Sequence, residues 1–396
     1  MINLTTANSA LKTVYLDVVD NLLNLNTNPL FAKIKKTTQG VYGKEIKVLA
    51  PYGINGGITA ASETGELPQV AGNQYLNFTT ELKNLYGRIE ISDKAIRASQ
   101  NSAGAFVNLL NDEMEGLIKS SSFSLSRMLY SDGRGLVAEA IAQGTDHVTY
   151  TMKNVGGLME GMIVDIYDVA GELYVEEGRG LRILKIDRVK NSVTVDKPVT
   201  VLEMVESGGY YFVIQNSFGN ELTGVEAIFN NTMKTLYGLT KANYSFLKGV
   251  TTTIDNDATF TEMDILKTID IAEEQSGGKI NFIATNSAVR RNYQSQLIAN
   301  SRNIQTIDLG NGFKALDFYG IPYVSDKFVN SDTMYLLDTD AFTLHQMCDW
   351  EWMSDENGNV LTPKAGYPVY TATLVKYADL ICSRPSGQAK IKNIVV

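Results

Sequence analysis

Read from the amino end, the apolar positions fall into a helical rhythm and then a strand rhythm. Leu11, Tyr15, Val18, Leu22 and Leu25 recur at steps of four and three, which places them on one stripe of a helix over residues 7–25. Asn28-Pro29 predicts its end, because the residue before a proline is pushed out of the helical region. Such a stripe packs either on its own domain or on a neighbouring subunit, and the pattern leaves both open. Lys33, Lys35 and Lys36 then read as a solvated basic run. From Lys44 the period becomes two: Lys44-Glu45-Ile46-Lys47-Val48-Leu49-Ala50 alternates for most of its length, as a half-buried strand does. A stretch of small and polar residues follows, carrying Gly53, Gly56, Gly57, Glu63, Gly65, Leu67 and Gly72. Next, Leu76, Phe78, Thr80 and Leu82 share one strand face while Asn77, Thr79, Glu81 and Lys83 share the other. Past Asn84–Gly87 the alternation brings Ile89 and Ile91 together, a register shift that predicts a bulge or a change of sheet. Together these strands make a long hairpin with a glycine-rich tip. An isolated hairpin buries too little to be stable in water, so this one needs something to lie on, such as another subunit.

A second helix is predicted from Ser102 to about Tyr130, with Phe106, Leu110, Met114, Leu117, Ser121, Leu125 and Met128 on one face and Asp132-Gly133 as its stop. At about 1.5 Å per residue it spans roughly 40 Å. Residues 145–215 change character, with short β-rich runs at His147–Met152, Met162–Tyr167, Arg182–Ile186, Ser192–Val195 and Tyr210–Ile214 between Gly, Asp and Asn turns. That spacing predicts a small inserted barrel or sandwich. Helix and strand alternate thereafter. Thr261-Glu262-Met263-Asp264 is a capping box for a helix ending at Gly277-Gly278, a strand follows at Lys279–Ala284, and Asn286 caps the next helix. Later strands are expected at Ile321–Val324, Met334–Leu337, Phe342–Met347, Tyr370–Tyr377 and Leu380–Cys382. Trp350 and Trp352, two apart, read as core residues on one strand face.

Composition narrows the function more than any motif does. The 396 residues, 44% hydrophobic and 20% charged, describe an ordinary folded chain of two or three domains. No secretory signal or membrane span is legible. Two cysteines, Cys348 and Cys382, make neither a disulfide framework nor a zinc site, and reduced thiols are expected. The net charge of −9 argues against wrapping DNA through phosphate contacts and suits a container that must not adhere to it. The two histidines, His147 and His345, both read as strand residues and are far apart, which leaves few ways to build an acid–base or metal site. HExxH, CxxC, GxSxG and phosphate-loop patterns do not occur. Asp255-Asn256-Asp257 resembles a calcium loop until Phe260 and Leu266 occupy the Gly and Glu positions; Asp355–Asn359 fails likewise at Val360, and its Asn357-Gly358 reads as a tight turn. Carboxylate pairs such as Glu176-Glu177 and Glu273-Glu274 read equally as solvated faces. The reading is therefore of a protein that is not an enzyme, with no cofactor or metal.

The order of these elements resembles the tailed-bacteriophage major capsid protein family, the Hong Kong 97-type fold shared with encapsulins. Leu85-Tyr86-Gly87-Arg88-Ile89-Glu90-Ile91-Ser92-Asp93-Lys94-Ala95-Ile96-Arg97-Ala98-Ser99 is similar to the family's join between extended loop and spine helix. Ser131-Asp132-Gly133-Arg134-Gly135 resembles the exit from that helix, Phe318–Val324 a recurrent Gly-Ile-Pro strand, and Ile381–Pro385 a common closing strand. The resemblance implies an α+β fold: an N-terminal arm at 1–40, an extended loop at 41–91, a peripheral domain with spine helix at 92–144, an inserted β-rich domain at 145–215, and an axial domain with the remaining peripheral strands at 216–396. It implies self-assembly into pentamers and hexamers that form an icosahedral head around double-stranded DNA, without sequence-specific binding, in the host bacterial cytoplasm. Inter-subunit contacts would come from the loop tip (Gly53, Gly56, Gly57, Glu63, Gly65, Leu67) and the arm (Leu11, Tyr15, Leu22). The chain shows no long charged helical segment of the kind many members carry before the arm, which implies a separate scaffolding protein alongside a portal, or a product numbered after processing; the initial Met favours the former. With Lys44 and Lys47 at the loop base and no lysine at its tip, covalent cross-linking is not expected. An encapsulin-like compartment and a tail or baseplate protein are the rival readings.

Overall fold

The computed structural model describes residues 28–53, 55–94, 103–168, 176–199, 209–255, 258–299, 306–309, 313–356 and 358–395; the stripe with Leu11, Tyr15 and Leu22 lies outside the described residues. On its downstream side Asn28-Pro29 starts a helix. The Asn28 side chain accepts the Phe31 N–H at 2.7 Å, Pro29 occupies a first-turn position where its missing N–H costs nothing, and α1 (Pro29–Lys33) buries Leu30 and Phe31. Strands β1 (Lys35–Thr37) and β2 (Val41–Tyr42) follow. Lys35 and Lys36 lie on the surface of this segment but reach Asp340 at 3.2 Å and Asp349 at 3.4 Å.

The expected hairpin is present as β3 (Glu45–Gly53) and β4 (Gln74–Glu81), paired antiparallel from Glu45 opposite Glu81 to Gly53 opposite Gln74. After Leu82 alone, the chain changes sheet into β5 (Lys83–Ser92), where Leu85, Gly87, Ile89 and Ile91 turn inward. The predicted register shift is thus a change of sheet, one residue after the hairpin closes. Helix α2 (Ala103–Met128) crosses β5 at Gly87, where a Cβ would come within 2.9 Å of Leu117 Cδ1 and 3.3 Å of Ser121 Oγ, so a larger residue would make those side chains give way. Met114, Ile118, Leu125 and Met128 of α2 are buried.

The inserted unit is a closed barrel: β6 (Leu136–Gln143), β7 (Thr149–Met152), β8 (Ile163–Tyr167), β9 (Leu181–Asp187), β10 (Ser192–Val195) and β11 (Tyr210–Ile214), in the order β10-β7-β6-β11-β8-β9. Its first strand begins at Leu136, so the expected boundary at 145 cuts the barrel. The cause is Leu136-Val137-Ala138-Glu139-Ala140-Ile141-Ala142: Ala138 and Ala140 supply the inward positions, and alanine is a weak strand signal. His147 is not a strand residue either. It is exposed in the turn before β7 at φ 54.

Beyond the barrel come α3 (Glu226–Phe229) and a tight pair, β12 (Thr235–Leu236) and β13 (Leu239–Thr240). The remainder is a seven-stranded sheet ordered β14-β24-β19-β15-β18-β17-β16, with helices α4 (Glu262–Ser276) and α5 (Ser287–Ala299). These strands are β14 (Val250–Thr253), β15 (Phe282–Thr285), β16 (Thr306–Asp308), β17 (Lys314–Phe318), β18 (Ile321–Ser325), β19 (Met334–Leu337) and β24 (Ala389–Lys392). The predicted capping box forms, with Asp264 accepting the Thr261 N–H at 2.8 Å, and Gly277 ends α4 at φ 64. Asn286 caps α5 through the Ala288 N–H at 3.1 Å.

A six-stranded sheet ties the chain's two halves together through β20 (Phe342–Gln346), β21 (Glu351–Trp352), β22 (Thr362–Pro363) and β23 (Val369–Cys382). The strands expected at 370–377 and 380–382 are one 14-residue strand, with β5 on one side and β20, β21 and β22 on the other. Strand β1 adds to β20 in parallel. Within β20, His345 is buried and its Nδ1 lies 2.9 Å from the Gln39 carbonyl, a structural role. Trp350 is buried and Trp352 half-buried, but only Trp352 belongs to a strand.

Candidate assembly interface

The hairpin divides into a supported base and an unsupported tip. At the base, Ile46, Ala50 and Phe78 are fully buried. They lie on this chain's own 235–247 segment: Phe78 is 5.1 Å from the Tyr237 ring and 6.4 Å from Phe246, and Tyr52 meets Tyr244 edge-on at 6.0 Å. Thr79 donates its N–H to the Tyr237 carbonyl at 3.0 Å. Tyr237 and Gly238 form the two-residue turn between β12 and β13, both at positive φ (48 and 78), as a primed hairpin turn requires. The tyrosine bears that strain because its ring packs on Phe78 and its hydroxyl accepts the Cys382 N–H at 3.0 Å. What the hairpin lies on is therefore, in its lower half, its own chain.

Beyond Gly53 and Gln74 nothing comparable exists among the described residues. Ile58, Leu67 and Val70 are 91%, 81% and 102% exposed. The tip's hydrogen bonds stay within it, from the Gly57 N–H to Asn55 at 2.8 Å and from the Gly65 N–H to the Ser62 carbonyl at 2.9 Å. Among the described residues no hydrogen bond or ion pair joins 55–72 to the rest of the chain. Of the residues expected at the tip, Gly56, Gly57, Glu63, Gly65 and Leu67 are there, whereas Gly53 closes the ladder opposite Gln74. Sequence reading passed over Leu49 and Tyr75, exposed on the hairpin's outer face. The signal for Leu49 was the break it makes in the alternation of 44–50.

Polar junctions anchor the base. Asp379, fully buried in β23, accepts from Thr80 Oγ1 at 2.7 Å, the Thr223 N–H at 2.8 Å, Thr223 Oγ1 at 3.1 Å and the Leu380 N–H at 2.9 Å. Burial pushes its carboxyl up, against the pull of the Thr223 and Thr80 donors. Arg127 at the end of α2 makes a buried two-pronged pair with Glu221. Lys376 of β23, fully buried, donates to Gln346 Oε1 at 2.7 Å and Asp349 at 3.2 Å. Burial lowers its ammonium to about 8 in spite of Asp349. The Asp349 carboxyl moves down instead: burial raises it, but Lys376 and Lys36 outweigh that, because it is the half-exposed end of the pair. These groups are spent on structure. Among the described residues no three of His, Cys, Asp and Glu converge as metal ligands would, and no helix is long and apolar enough to cross a membrane.

No family model matches the chain, and no curated protein does. Solved structures do. The Cyanophage A-1(L) capsid asymmetric unit superimposes at TM-score 0.54 with 11% identity, over 96% of this chain and 92% of that one. The capsid of a native GTA particle gives 0.50 at 12% identity, over 93% and 91%. The chain has the Hong Kong 97-type capsid fold. An encapsulin from Synechococcus elongatus overlays more loosely, at 0.47 and 8% identity over 93% of this chain and 89% of that one. On its Hong Kong 97-type frame this chain carries the hairpin, the long helix, the barrel and the seven-stranded sheet in the order expected from its sequence.

Proposed function

We propose that this chain is the major capsid protein of a tailed bacteriophage, closing pentamers and hexamers into an icosahedral head around double-stranded DNA. The observation that carries the reading is the hairpin tip, where Ile58, Leu67 and Val70 stand exposed and no hydrogen bond or ion pair among the described residues ties the segment to its own chain, borne on a capsid fold. A neighbouring copy supplies the missing seat, and many copies of one weak contact sum to a stable shell. The acidic balance of the chain keeps packaged DNA from adhering to the wall. Assembly takes place in the bacterial cytoplasm with a separate scaffolding protein and a portal.

Expression of the full chain with its scaffold, followed by negative-stain microscopy, tests this. Closed particles are expected from the natural chain. Replacing residues 55–72 with a two-residue Asn-Gly turn should leave a folded, soluble subunit that closes none; normal particles from that variant would refute the role of the tip. Particles filled with protein cargo in place of DNA would move the chain to the encapsulin branch.

A further inference from the structure

The barrel's outer surface carries a patch that the fold does not use. Strand β9 turns Leu181 and Ile183 inward and Arg182 and Leu184 outward. A bulge opposite Thr194 and Val195 then keeps Lys185 outside as well, so three neighbouring side chains face solvent. Ile163, paired with Arg182 across β8, is also exposed, and the β9–β10 turn adds Val189, 94% exposed, and Lys190. In a chain of net charge −9, residues 182–197 hold five Lys and Arg against two Asp. Both aspartates are engaged by backbone: Asp187 accepts the Val189 and Lys190 N–H groups at 3.0 Å, and Asp196 accepts the Arg182 N–H at 2.8 Å. Among the described residues Arg182, Lys185 and Lys190 make no ion pair.

The hairpin tip is the complement of this surface. Between Lys47 and Glu81 the only charged residues are Glu63 and Glu66, and around them stand the exposed Ile58, Leu67 and Val70. Acid with apolar on one side thus matches base with apolar on the other. We propose that the β8–β9 face of the barrel seats the hairpin tip of a neighbouring copy, with Glu63 and Glu66 over Arg182 and Lys185, and Leu67 and Val70 against Leu184 and Ile163. This rests on the shell-forming reading above. A nucleic-acid phosphate is the other ligand for basic residues, but it has no use for exposed Leu184, Ile163 and Val189.

Two experiments on the full chain decide it. With the half-buried Cys348 replaced by serine, the pair Glu66→Cys and Lys185→Cys should give a ladder of covalently linked chains on oxidised particles, absent when either cysteine is alone. Second, Arg182→Glu with Lys185→Glu should raise the concentration needed for assembly about tenfold, the effect of turning two exposed attractive pairs repulsive. Glu63→Lys with Glu66→Lys should do the same, and all four changes together should restore assembly. Closed particles without the ladder, or no rescue by the fourfold exchange, would overturn the seat while leaving the shell reading intact. Patch variants that assemble normally but hold DNA less tightly would reassign the patch to phosphate. Failure of the natural chain to form any multimer would overturn both readings.

Discussion

The barrel and the hairpin are both antiparallel β-structure, yet one is complete and the other is not. Each barrel strand has two partners, and Tyr150, Phe212, Val164 and Val193 fill the interior with no exposure. Closure leaves no strand edge to satisfy. The hairpin has its edges covered only at the base, where β2 pairs with β3 and the Thr79 N–H bonds Tyr237, and its one buried face ends at Gly53. Below it, Phe78 and Ala50 are as buried as any barrel residue; above it, Leu67 and Val70 stand in solvent. The difference teaches that the unsupported part is about 20 residues of tip, and that the hairpin as a whole is not a free arm.

Four variants probe that division, the first three best measured by chemical denaturation in the tip-replaced chain so that assembly does not intrude. Phe78→Ala should cost the subunit about 3–5 kcal/mol, because it empties a fully buried aromatic site between Tyr237 and Phe246; a cost under about 1 kcal/mol would mean the base is not anchored. Asp379→Ala should cost about 3 kcal/mol by leaving the Thr80 and Thr223 donors without their acceptor, and it should loosen hydrogen exchange in β4 before β15. Lys376→Met tests the same sheet through pH. Below about pH 8 the buried lysine is charged in folded and unfolded chains alike, and its burial cost is present in full. Between about 8 and 10.5 the folded chain releases the proton first, so stability rises with pH, by about 2 kcal/mol from pH 7 to about 9.5 for this one group. The variant should lose that rise and keep the share due to Lys241, whose ammonium burial also lowers to about 8. Smallest of all, Leu67→Ser with Val70→Ser, made in the otherwise natural chain, should change subunit stability by less than about 0.5 kcal/mol while reducing particle yield.

Much of this was legible in the pattern of residues. Alternation disclosed β3 and β4, β-rich runs between turns disclosed five of the six barrel strands, and cap chemistry placed both ends of α4 and the start of α5. The failures share one cause: each depends on a contact distant in sequence. Alanines at 138 and 140 look like helix until the barrel closes over them. Asp379 looks like a break in a strand until Thr80 and Thr223 are seen to satisfy it. Nothing near Phe78 announces that its seat is a turn 159 residues later, at Tyr237. The tip's sequence was readable for the opposite reason, since among the described residues no hydrogen bond or ion pair ties it to the rest of its chain.

The ladder between β5 and β23 has a mechanical consequence. The hairpin runs into β5 through Leu82 alone, and β5 is bonded to β23 over the whole register from Lys83 opposite Ala378 to Ser92 opposite Val369. Tension along β5 therefore shears that ladder as a unit and does not unzip it pair by pair. On the proposed shell-forming reading, a subunit pulled by its tip would yield at Gly56, Gly57, Gly65 and Gly72, outside the β3–β4 ladder, while the sheet beneath stays whole.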